Sequence, residues 1–110
     1  MKININKQYK GNEILVFVEG EIDAYTAPKL REELWHLSEK ENTTITINLM
    51  EVTYLDSTGL GVFVGLFKRL NSSNGELKLI ELSNRLFKLF EMTGLLNIMN
   101  IRVNSVDGGR

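Results

Sequence analysis

Two hydroxyls stand beside a carboxylate at Asp56-Ser57-Thr58-Gly59. Before them runs an alternating apolar stretch (Ile45, Ile47, Leu49), and after them a glycine-studded apolar stretch over 60–70. That order is what a strand passing into a helix looks like. It puts the hydroxyls at a helix N-terminus, where Asp, Ser and Thr side chains accept hydrogen bonds from backbone N–H groups lacking a helical partner. A capping serine is also an exposed one, open to phosphorylation. Phosphate on Ser57 adds about −1.5 to −2 charge units beside Asp56. The helix N-terminus favours such an anion by roughly 0.3–1 kcal/mol. No Lys or Arg lies within ten residues of Ser57 to clamp it. Modification is therefore expected to leave the fold intact and to spoil any contact that needs this patch flat and uncharged.

Other chemistries fail on spacing. A retroviral-type aspartic protease needs Asp-Thr/Ser-Gly, and Thr58 intervenes between Ser57 and Gly59. A hydrolase elbow needs Gly-x-Ser-x-Gly, with a base nearby. Ser57 has no such preceding glycine, and the single histidine, His36, sits among Glu32, Glu33 and Glu39 as a solvated surface residue. Gly59, Gly61 and Gly65 miss the dinucleotide-binding spacing by one residue, and no Walker lysine follows them. No His and carboxylate cluster has metal-ligand spacing. Enzyme activity is not expected.

The elements that must position Ser57 follow from periodicity. Ile3 and Ile5 alternate with polar residues, and Lys10-Gly11-Asn12 supplies a turn. A β-branched apolar run over 14–18 predicts a second strand, with Gly20-Glu21-Ile22-Asp23 breaking it. Thr26 as N-cap and Pro28 in the first turn open a helix carrying Leu30, Leu34 and Leu37. A strand over 45–49 and a helix over 60–70 come next. That helix has poor intrinsic propensity and must be held by packing, its glycines allowing close approach to a sheet. A loop over 71–75, a strand over 77–82, a short helix capped by Ser83 and a closing strand over 98–103 complete the chain.

The order β-β-α-β-α-β-α-β predicts an α/β fold whose mixed sheet is mostly parallel after an N-terminal hairpin, with helices as crossovers. In such a sheet the loops after the second and third strands open on one edge, where ligands and partners gather. Asp23 and Ser57 are thus expected to be neighbours. Trp35 and the phenylalanines at 63, 67, 87 and 90 are read as packing residues, and apolar surface on the helix over 60–67 as a docking face.

With 110 residues, 43% of them apolar and 25% charged, the chain reads as one soluble domain over 1–104 with a flexible tail over 105–110. Thirteen basic against fourteen acidic residues give no pull toward nucleic acid. The lack of cysteine excludes disulfides and thiolate chemistry. The longest uncharged stretch, over 57–67, is eleven residues, too short to span a bilayer. A cytoplasmic location is expected.

Three segments together resemble a known family. G-E-I-D-A-Y-T-A-P-K-L at 20–30, Y-L-D-S-T-G-L-G-V-F-V-G at 54–65 and F-E-M-T-G-L at 90–95 occur in this order in the STAS-domain anti-sigma factor antagonists. Similarity is greatest to the sigma-B branch, which serves the general stress response of Gram-positive bacteria. The resemblance implies the STAS fold and a role in partner switching. Unphosphorylated protein would bind an anti-sigma factor that is also a serine kinase and so release sigma. Phosphorylation of Ser57 would abolish that binding, and a metal-dependent Ser/Thr phosphatase would reverse it. ATP and Mg²⁺ would belong to the kinase, leaving this chain without a cofactor. Position by position, Ser57 after Asp56 matches the phosphoacceptor and Thr58 a supporting hydroxyl. Asp23 matches an acidic loop residue involved in partner binding, and Gly59 and Gly61 match the small residues opening the second helix. A STAS adaptor of a membrane transport assembly is the alternative the same family allows.

Overall fold

The computed structural model describes residues 2–103. Five strands and three helices alternate: β1 (Ile3–Lys10), β2 (Glu13–Ile22), α1 (Ala27–Leu37), β3 (Thr44–Leu55), α2 (Ser57–Ser72), β4 (Glu76–Leu82), α3 (Asn84–Met92), a 3₁₀ turn (Leu95–Asn97) and β5 (Asn100–Val103). The sheet order is the chain order, β1-β2-β3-β4-β5, with β1 antiparallel to β2 and every later pair parallel. The mixed sheet expected from the sequence is the one observed. Right-handed crossovers between successive neighbours place all three helices on one face. Ile14, Val16, Val18, Ile45, Ile47, Leu77 and Leu79 point into that layer and are buried, while the alternate residues Leu15, Phe17, Thr46 and Ile80 stay half-exposed on the other face. The tail expected over 105–110 lies outside the described residues. Among the described residues no helix is long and apolar enough to cross a membrane.

Two departures from the expected elements bear on the site. The glycine at position 20 does not end β2: pairing steps from Gly20↔Val52 to Glu21↔Tyr54, leaving Thr53 of β3 as the extra, bulged residue, and β2 runs on to Ile22. Gly20 takes φ +115°, and a Cβ there would stand 2.2 Å from the Lys2 carbonyl oxygen, which accepts the Glu21 N–H at 3.0 Å. Glycine lets the chain thread this point instead of stopping it. The second departure is length. β3 extends to Leu55, well past Asn48, its last residue paired with β4. Its final residues pair with β2 alone.

Smaller differences lie at the ends. Helix α2 takes in Asn71 and Ser72, expected in a loop, and β5 begins at Asn100 because Leu95–Asn97 forms the 3₁₀ turn. As its weak propensity requires, α2 is held by packing: Leu60, Val62, Phe63, Leu66 and Leu70 are buried. Phe63 and Phe90 are fully buried with ring centroids 6.4 Å apart, and Trp35, Phe67 and Phe87 pack at the core's margin.

Candidate phosphoacceptor site

Helix α2 begins at Ser57, and Asp56 is its cap. Asp56 Oδ1 accepts the N–H groups of Thr58 at 3.0 Å and Gly59 at 3.2 Å. With the carboxylate doing the capping, the adjacent hydroxyl is left free. Among the described residues the Ser57 side chain has no hydrogen-bond partner, and both Ser57 and Thr58 are exposed. The hydroxyl is available to an incoming phosphoryl group, which would land at a helix N-terminus favourable to anions.

The adjoining loop is tied to this one through the sheet. Ile22 pairs with Leu55, and the Asp56 N–H donates to the Ile22 carbonyl at 3.3 Å. The expected adjacency of the two loops is therefore present. Asp23 itself is not on the surface: it is 6% exposed. Its Oδ1 accepts the N–H groups of Tyr25 at 2.9 Å and Thr26 at 3.0 Å, while its own N–H donates to Thr26 Oγ1 at 2.9 Å. The Thr26 hydroxyl donates onward to the Glu21 carbonyl at 2.7 Å. Thr26 stands at the N-cap position of α1 as expected, yet its side chain makes no cap bond, being committed to this knot. Burial pushes the Asp23 carboxyl up, but the Thr26 and Tyr25 N–H groups, with the Thr26 hydroxyl, outweigh it and hold the group below its ordinary value. Oδ2 is buried without a partner among the described residues.

Gly59 and Gly61 divide by face. Gly59 is buried, and a Cβ there would meet Leu55 Cδ1 at 2.3 Å and Ile22 Cγ2 at 2.6 Å, so helix and sheet touch directly beneath Ser57. Gly61 is exposed, with nothing within 4 Å of its Cβ position. Alanine should act oppositely at the two sites. Gly59→Ala is expected to destabilise by about 1–3 kcal/mol through overpacking, and Gly61→Ala to stabilise by roughly 0.5–1 kcal/mol through helix propensity. Urea melts of the two variants would show it, and shifts of the same sign would refute the assignment of faces.

On the helix over 60–67 only Gly61 is exposed, while Val64, Gly65 and Phe67 are half-buried. The large exposed apolar side chains at this edge are Tyr25, 86% exposed in the loop after β2, and Tyr54, 45% exposed near the end of β3. Neither was singled out from sequence. The available signal was Tyr25's place in a short turn, outside any apolar periodicity.

The STAS domain family matches residues 4–108, nearly the whole chain. The chain belongs to the STAS domain family. A STAS relative from Listeria monocytogenes, an anti-sigma-B factor antagonist, is 53% identical over 103 residues, covering 93% of this chain and 90% of the relative. Among solved STAS structures, an anti-sigma factor antagonist from Mycobacterium paratuberculosis superposes with a TM-score of 0.82 at 23% identity, covering 92% of this chain and 86% of that one. The Bacillus cell fate determinant SpoIIAA, solved in its phosphorylated form, superposes with a TM-score of 0.72 at 21% identity, over 89% of this chain and 90% of that one. The membership implied by the three sequence motifs is thereby shown, and the element order is that of the STAS fold. In this STAS domain the Asp-Ser-Thr-Gly element is the cap and opening turn of α2, and Gly-Glu-Ile is the end of β2, with Asp23 in the loop that follows.

Proposed function

We propose that this STAS domain is an anti-sigma-B-type factor antagonist, a cytoplasmic binding module without catalysis of its own, switched by phosphorylation of Ser57. The observation that carries the reading is the division of labour at the start of α2. Asp56 saturates the helix end while the Ser57 hydroxyl stands exposed and unbonded. Identity of 53% to an antagonist of the same length class supports it, as does the phosphorylated form known for a neighbour of the same fold. The unmodified protein docks this edge on an anti-sigma factor that is also a serine kinase, and sigma is released. The kinase supplies ATP and Mg²⁺ and transfers the γ-phosphoryl group to Ser57 Oγ. A metal-dependent Ser/Thr phosphatase restores the hydroxyl. Coverage of nearly the full length of a free-standing antagonist favours this reading over a transporter adaptor.

The test is to incubate the protein with the anti-sigma kinase of its organism and Mg·ATP, then map the product by mass spectrometry. One phosphate on Ser57 is expected, and none on a Ser57→Ala variant. Stoichiometric phosphate on Thr58 with Ser57 unmodified would overturn the assignment.

A further inference from the structure

We propose that Tyr25 is the aromatic anchor by which the partner of the Ser57 surface docks, and that Asp23 serves the contact from beneath as a positioning residue. The inference rests on the proposed docking role of that surface. Tyr25 has the most exposed large apolar side chain among the described residues, at 86%. Its ring is mobile only about its own bonds, because its main chain is fixed. The Asp23 carboxylate spends its backbone hydrogen bonds on Tyr25 and Thr26, and the Asp23 carbonyl accepts the Ala27 N–H at 2.8 Å. Exposed tyrosines on rigid loops are favourable anchors, since they bring large contact area with little conformational freedom to lose on binding.

Position and charge identify what the anchor fits. The Tyr25 loop is joined to the Ser57 loop by the Asp56 N–H to Ile22 carbonyl bond, so one partner surface meets both. Tyr25 shares a shallow hollow with Lys2, Asn4, Thr26 and Lys29. Lys2 and Lys29 are exposed and have no ion-pair partner among the described residues. The matching occupant is the anti-sigma partner itself, presenting an apolar socket for a phenol ring with carboxylates on the rim facing the two lysines. That chemistry agrees with the sense of the switch. An acidic rim drawn in by Lys2 and Lys29 is repelled by a dianion on Ser57.

The acidic residue of the family motif thus acts on the partner through its neighbour. Double-mutant analysis separates this from direct contact. Binding of the unphosphorylated protein to the anti-sigma kinase would be measured by titration calorimetry for wild type, Tyr25→Ala, Asp23→Ala, Asp23→Asn and the Asp23→Ala/Tyr25→Ala pair. Tyr25→Ala should weaken binding about 30-fold. Asp23→Ala should weaken it and remove hydrogen-exchange protection from the Tyr25 and Thr26 amides. Asp23→Asn, which keeps an acceptor oxygen, should stay within about threefold of wild type. The double variant should be no weaker than Tyr25→Ala alone. Wild-type affinity in Tyr25→Ala, or additive losses in the double variant, would overturn the inference while leaving Ser57 as the switch. A wild-type protein that fails to bind the kinase would overturn the docking role and this inference with it.

Discussion

Replacing Ser57 by aspartate should weaken binding to the anti-sigma kinase by at least about 100-fold relative to Ser57→Ala, with no loss of thermal stability. The two halves of this expectation come from different physics. Stability is spared because the side chain at position 57 is exposed and the cap bonds come from Asp56. A new anion sits at a helix N-terminus, where it gains roughly 0.3–1 kcal/mol, offset by the neighbouring carboxylate. Binding suffers because a charge sealed into an interface without a cation costs several kcal/mol, and each ~1.4 kcal/mol is tenfold in affinity. Ser57→Asn controls for size: it is close to aspartate in shape but neutral, and should bind within about tenfold of Ser57→Ala. Calorimetric titration of the three variants against the kinase decides the matter. Equal affinities for Ala and Asp would mean that charge at this position does not control the complex. Equal losses for Asn and Asp would mean that bulk does. The phosphorylated protein should fall at or beyond the Asp variant, since phosphate carries more charge.

The site was more legible in the sequence than the surface around it. Asp-Ser-Thr at the junction of two apolar runs reports a helix start because capping chemistry is local, and the helix begins where those residues say. The mixed sheet was legible for a related reason. Alternating strands and helices with short connections admit few right-handed arrangements, and the sheet expected to be parallel after its first hairpin is the observed one. Three features were not legible, each because it depends on contacts made only on folding. Gly20 reads locally as a strand breaker; the strand runs through it because Lys2, eighteen positions earlier, supplies a carbonyl that holds Glu21 and leaves no room for a side chain at position 20. Asp23 reads as an acidic residue of a loop, and it is buried because Thr26 and two backbone N–H groups fold over it. Exposure of Tyr25 depends on how its loop folds around Asp23, and the half-burial of α2's outer apolar residues on packing across the sheet.

Substitution at Gly20 therefore has a larger expected consequence than its place in a strand suggests. Gly20→Ala should destabilise the protein by about 2–5 kcal/mol, combining the strain of a side chain at φ +115° with displacement of backbone atoms. The obstacle is the Lys2 carbonyl oxygen, 2.2 Å from the new Cβ, which cannot swing aside as a flexible side-chain end can. Relief requires β1 to move off the end of β2, breaking the bond from Glu21 N–H to Lys2 and freeing Glu21, whose carbonyl holds Thr26. Damage at Gly20 thus passes to the loop carrying Tyr25, and through the Ile22 carbonyl to Asp56. For a domain of this size such a loss lowers the melting temperature by roughly 10 °C or more. Well below that temperature, hydrogen exchange should already be faster at Glu21, Tyr25 and Thr26 than in wild type, with the β3–β4 amides unchanged. Wild-type exchange at those three amides would show that the loop is held without the contact between Lys2 and Glu21. A uniform acceleration across the sheet would show that the strain spreads through the whole fold, instead of concentrating at the proposed docking edge.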